Sequence, residues 1–152
     1  MEHGRIERTM YVEATPEVVY EVISSPTHLK EWWPDDADLA PVPGAVGTIS
    51  WGEGDEQQIV PITVIDAQPH RLFSFRWTHP VDEAAAVGNS LFVTFELAPS
   101  GDGTTVRMTE TGFREMGWEI AVLEQQYNEH IHGWDTHLPR LAEYVARLVA
   151  SR

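Results

Sequence analysis

The stretch MGWEIAVLEQQYNEHIHGWDTHLPRLAEYVARLV, residues 116–149, decides how the rest of the chain is read. Apolar side chains recur in it at Ile120, Leu123, Tyr127, Ile131, Trp134, Leu138, Leu141, Val145 and Leu148. Every gap is three or four residues, the period of a single helical face. At about 100° per residue these positions fall within an arc of roughly 120°. Glu129, His132, Thr136, Pro139, Arg140, Glu143 and Arg147 fall on the other side. One long amphipathic helix is predicted, and it needs a large apolar surface to lie on. His130 projects into the apolar arc, while His137 and Tyr144 sit on its margin. A polar group aimed at a core must find a partner or line a cavity. Pro139 lies on the solvent side and removes one backbone hydrogen bond, which predicts a kink there; a break into two helices is the alternative.

Upstream, the period changes. Arg5 to Glu13 alternates loosely, with Ile6, Met10 and Val12 on one side, and reads as an opening strand with one face buried. Arg8 interrupts its apolar row, which suggests a cavity or the strand's edge. Thr15-Pro16-Glu17 combines an N-cap, a proline at the first helical position and an acid in the first turn. Ser25-Pro26 repeats the signal and opens a second short helix, which Pro34 ends. Asp35 to Gly47 reads as an acidic loop. From Val46 the period is two. Strands are predicted at 48–51, 57–66, 72–78, 90–97 and 104–111, separated by turns such as Ser100-Gly101-Asp102-Gly103. Pro61 suggests an edge position or a bulge in its strand.

Five strands joined by short connections make an antiparallel meander with one face to cover. The long helix has one face to bury. Together with the opening strand this predicts an α+β two-layer domain with a six-stranded antiparallel sheet and two short helices after strand 1. A lipocalin-type barrel would leave the long helix unhoused. A length of 152 residues suits one domain, 1–152.

Composition narrows the function. The formal charge is −14, from 24 acidic and 10 basic residues, which argues against nucleic acid or an anionic membrane as partner. The chain has no cysteine, and so no disulfide, thiol nucleophile or thiolate metal site. No segment reaches the ~20 apolar residues of a membrane span. MEHGRIER contains no apolar leader core, so a cytoplasmic location is expected.

Six tryptophans and five phenylalanines occur mostly within the predicted elements. Bulky rings at the mouth of a curved sheet often line a pocket, although an aromatic-rich core would use the same residues. A metal site is not expected. His130 and His137 share a face but lie two turns, about 10 Å, apart, and His132 points away. The aspartates at 35, 36 and 38 lack a calcium-loop pattern. No cofactor motif is present. An inward His130 near Glu110 could make a proton-transfer pair; equally, Glu110 or Arg76 could simply satisfy an inward polar group. No catalytic residue is assigned.

The order of ATPEVVYEVISSPTHLKEWWP (14–34), LFSFRW (72–77), FVTFEL (92–97), TTVRMTETGF (104–113) and the Gly133-Trp134 pair in the last helix resembles the Activator-of-Hsp90-ATPase homologue group of the START-like (SRPBCC, Bet v 1-like) superfamily. The resemblance spans nearly the whole chain. It implies a helix-grip fold, a curved antiparallel sheet around a long C-terminal helix with a cavity between them. It also implies a small apolar or aromatic ligand, since members of the superfamily bind lipids, sterols, polyketides and hormones. Glu110 stands where the family pattern carries a histidine. The expected ligand-lining residues are Tyr127, His130, Trp134 and His137 from the helix and Trp33, Phe75, Trp77 and Phe95 from the sheet and entrance. The expected function is ligand binding without catalysis. The alternatives are an enzyme of polyketide-cyclase type on an aromatic substrate, or a stress or co-chaperone interaction protein related to Hsp90 ATPase activators. A homodimer is left open.

Overall fold

A computed structural model describes residues 4–152; the first three residues of the stretch read for a leader lie outside it. Seven antiparallel strands form one open sheet in the order β1-β7-β6-β5-β4-β3-β2. They are β1 (Arg5–Val12), β2 (Asp36–Asp38), β3 (Val46–Trp51), β4 (Gln58–Gln68), β5 (Leu72–Trp77), β6 (Leu91–Ser100) and β7 (Gly103–Thr111). Helices α1 (Pro16–Ser24) and α2 (Pro26–Leu29) follow β1, and α3 (Ile120–Ala150) ends the chain.

The local signals explain most of these elements. The Thr15 hydroxyl accepts from the Val18 N–H and caps α1, with Pro16 at its start. Gly101-Asp102 joins β6 to β7 as a two-residue hairpin turn, with Gly101 at φ 58°. Period-two burial puts Phe73, Phe75 and Trp77 of β5, Leu91, Val93, Phe95 and Leu97 of β6, and Val106, Met108 and Glu110 of β7 on one face. Val19, Val22 and Ile23 of α1 and Leu123, Trp134, Leu138, Leu141 and Val145 of α3 are buried with them. The core therefore sits between the sheet and a layer formed by α1 and α3.

Four expectations need correction. The sheet has seven strands, not six, because the acidic stretch read as loop contains β2, whose Asp36–Asp38 pairs with Thr48–Ser50. Three residues are too few to display a period. Pro61 lies in an interior strand, opposite Thr48 of β3, and not at an edge, although the strand does shift register against β5 between Val64 and Asp66, as the bulge alternative allowed. Its missing N–H is harmless because β5 stops at Trp77. Thr78 turns away there with φ 67°, and only its N–H reaches back, to the Pro61 carbonyl. The long helix starts at Ile120, after a 3-10 turn at Arg114–Met116, not at Met116. Ile120 itself is 66% exposed. The helix runs unbroken through Pro139, which is exposed.

Arg8 lies on the edge strand β1. Its guanidinium donates to both Asp135 carboxylate oxygens, at 2.8 and 3.2 Å, and ties α3 to that edge. This bond holds the Asp135 carboxyl below its ordinary range. Both partners are partly exposed, so the tie orients the helix more than it stabilises the fold.

Candidate functional site

The central residues of α3 that face the sheet are His130, Gly133, Trp134 and His137. Their spacing of i, i+3, i+4 and i+7 aligns them on one stripe. Opposite them stand Trp33, just beyond α2, Trp51 at the end of β3 and Trp77 at the end of β5. These seven residues, with Glu129 at the mouth, enclose a hollow of about 190 Å³. It adjoins a wider cleft of about 490 Å³ that shares Trp51, Trp77, Glu129 and His130 and adds Gln58, Thr78 and Gln126 among others.

The rings support one another. Trp33 stacks on Trp134 with centroids 5.3 Å apart and planes 29° apart, and meets Trp77 at 5.1 Å. Trp77 and Phe113 each meet the His130 ring edge-on, at 5.3 and 5.5 Å. Such contacts hold large rings in fixed positions.

Beneath the rings lies Glu110, with no exposed surface. The period-two pattern of β7 points it inward among apolar neighbours, where a carboxylate requires partners. It has three. The Trp77 Nε1–H donates to Oε2 at 2.7 Å and the Trp134 Nε1–H donates to Oε1 at 2.8 Å. His130 Nδ1 lies 2.9 Å from Oε1. Indole nitrogens only donate and an ionised carboxylate only accepts, so assigning hydrogens from this network puts one on His130 Nδ1. The Nε2 atom is left free on a residue that lines the hollow, and among the described residues nothing bonds to it. A carboxylate fixing one imidazole nitrogen while the other stays free is an arrangement suited to binding or moving a proton.

His137 stands at the other end of the hollow. Its Nδ1 is buried without a hydrogen-bond partner among the described residues. Burial pushes this imidazole below its ordinary value, with a contact to the Trp32 backbone acting the other way. Gly133 lies between the two histidines. A Cβ built on it would meet nothing within 4 Å, so the glycine borders open space.

Of the residues singled out in the sequence, Trp33, Trp77, His130, Trp134 and His137 stand around the hollow. Phe75 and Phe95 lie behind it, Phe75 against Trp33 and Phe95 against Trp134. Tyr127 sits one turn away, where its hydroxyl donates to the Arg5 carbonyl and its ring meets Phe113. Trp51, Glu129 and Gly133 were not singled out as lining residues. Trp51 ends a short strand with weak alternation. Glu129 falls on the outer side of the helical wheel and reaches the mouth because the hollow opens beside the helix. A helical glycine with no packing reason was the available signal for Gly133. Among the described residues no cluster of three or more metal-binding side chains occurs.

A family model described as Activator of Hsp90 ATPase homolog 1-like protein matches residues 13–146. The chain belongs to this family. Among curated proteins, none matches the sequence. Solved structures agree with the family in fold. Protein MLL2253 from Mesorhizobium loti is 20% identical, with a TM-score of 0.75 over 94% of this chain and 97% of its own. Protein NE0264 from Nitrosomonas europaea is 14% identical, with a TM-score of 0.79 over 99% of each chain. The Aha1 dimer from Colwellia psychrerythraea is 17% identical, with a TM-score of 0.68 over 93% of this chain and 95% of its own. These likenesses show that the chain shares its fold with these structures. No described helix is long and apolar enough to cross a membrane.

Proposed function

We propose that this protein binds a small aromatic or apolar molecule in the hollow between α3 and the sheet. The observation that carries this reading is the open space at Gly133, walled by four indoles and ended by two imidazoles. Mid-helix glycine costs about 1 kcal/mol relative to alanine, and no protein atom requires it at this position. A hollow of about 190 Å³ suits one ring, since an apolar cavity of about 150 Å³ accommodates benzene. It is too small for a sterol or a whole lipid chain. The adjoining polar cleft gives room for a substituent.

The test combines native mass spectrometry of the purified protein, to detect a co-purified molecule, with titration of single-ring and fused-ring aromatics followed by tryptophan emission. Single rings are expected to quench emission and raise Tm, and Gly133→Leu is expected to abolish both effects in a folded protein. If no ring binds, or if Gly133→Leu binds as the parent does, the reading fails. The dimer described for the Colwellia relative supports a homodimer here, which sedimentation would detect.

A further inference from the structure

The hollow is not uniformly apolar, and its polar end selects among rings. We propose, resting on the pocket-binding reading above, that the ligand is a single-ring aromatic bearing an acidic hydroxyl, and that His130 Nε2 takes the proton of that hydroxyl while Glu110 holds the imidazole.

Three features of the site lead to this class. First, Glu110 engages Nδ1 at 2.9 Å and is itself fixed by two indole N–H groups, so the imidazole is held while its Nε2 stays free, on a residue that lines the hollow. Second, a phenolic hydroxyl satisfies both microstates of this pair. Against a neutral imidazole it donates O–H to Nε2. After transfer, the phenolate oxygen accepts from Nε2–H. In that step the ligand O–H bond breaks, an N–H bond forms on Nε2, and the electron pair stays on oxygen. The imidazolium then lies between two anions, Glu110 and the phenolate, and no further reactant is needed. A ring lacking the hydroxyl leaves Nε2 unpaired in a desolvated site, which selects against it. Third, Glu129 at the mouth and a net charge of −14 disfavour the approach of a permanently charged anion. A phenol enters neutral and acquires its charge inside, beside the one group placed to compensate it. The titratable groups around this step are Glu110 beneath His130, Glu129 at the mouth and His137 two turns along the helix.

The four indoles provide the ring contacts, and their edges present a positive rim to an anionic oxygen. Glu110 acts as a positioning residue, since it touches the imidazole and not the ligand.

The probe is para-nitrophenol, whose phenolate absorbs in the visible, with para-nitroanisole as the same ring without a transferable proton. Bound to the parent protein, nitrophenol is expected to show its phenolate band at a pH where the free compound is the phenol. Its titration midpoint should fall by about one pH unit, a tenfold change in proton affinity. In His130→Gln the ring still binds, but the midpoint returns to the free value or rises above it. In folded Glu110→Gln the shift shrinks, an effect that a merely structural role would not produce. Nitroanisole is expected to bind the parent and His130→Gln within about twofold, losing against nitrophenol only in the parent. A probe bound as the phenol to the parent, or a phenolate band that persists in His130→Gln, overturns the proton transfer and leaves pocket binding standing. If neither compound binds, the pocket reading falls and takes this inference with it.

Discussion

Removing the carboxylate at Glu110 tests how the centre of the fold is held. The side chain is completely buried and receives the N–H groups of Trp77 and Trp134, themselves 7% and 2% exposed, together with Nδ1 of His130. In Glu110→Ala both indole donors lose their acceptor. Each buried orphan costs about 1–3 kcal/mol, so about 2–6 kcal/mol is expected before any loss of packing. That is a large part of the 5–15 kcal/mol typical of a whole domain. Glu110→Gln keeps the shape. Its amide oxygen can serve Trp134 and His130, but its NH₂ then meets the Trp77 N–H, donor to donor. One orphan remains, and about 1–3 kcal/mol is expected. The competing effect is charge desolvation, which costs several kcal/mol for a buried ion. If it outweighed the three bonds, glutamine would stabilise the protein. Three donors at 2.7–2.9 Å, spread over both oxygens, decide for the carboxylate. The assay is urea unfolding at neutral pH followed by tryptophan emission, with Tm as a second measure. The expected order of stability is parent, Glu110→Gln, Glu110→Ala. A glutamine variant as stable as the parent or more so, or an alanine variant no worse than glutamine, would refute the reasoning.

Three further outcomes are expected. His137 has a folded value below its ordinary 6.5 because of burial. The unfolded chain therefore binds a proton first as pH falls, and this residue's share of stability is present above about pH 6.5 and is lost on acidification below it. His137→Gln should flatten that part of the stability profile measured by urea midpoints from pH 7 to 5; an unchanged slope would show that the imidazole titrates alike in both states. Gly133→Ala should raise stability by about 0.5–1 kcal/mol, since alanine is the better helix former and its methyl enters empty space; a lower Tm would mean that the space is filled. Thr78 is a β-branched residue at φ 67° with a buried hydroxyl that lacks a partner among the described residues. Thr78→Gly should raise the urea midpoint by an amount equivalent to about 1 kcal/mol, because it removes both penalties; destabilisation would show that the left-handed turn is held by contacts of the threonine itself.

Much of the fold was legible because its elements repeat. The three-and-four spacing of α3 identified its buried face, apart from Ile120, and the alternation of β5, β6 and β7 identified theirs. The same two periods aimed His130 and Glu110 at a common interior, so their pairing could be considered before any coordinates. Their actual contact, and the two indole bonds that accompany it, depend on how far along the strand each helical turn falls, and periodicity does not carry that register. Strand β2 escaped notice because three residues among prolines, glycines and aspartates display no period. Pro61 misled as to an edge position because its rule concerns a lost hydrogen bond, and here the neighbouring strand has already ended. Glu129 was assigned outward by the helical wheel, which records direction but not where the surface opens.

The short strand β2 also limits how copies of this chain can associate. It forms one margin of the open sheet, and Asp36 and Asp38 are both exposed on it. A second molecule adding its own β2 in antiparallel fashion would bring four carboxylates together along a seam only three residues long. Like charges facing one another across so few backbone bonds oppose such growth. Sheet extension is thereby opposed at this margin, which favours other surfaces for any self-association.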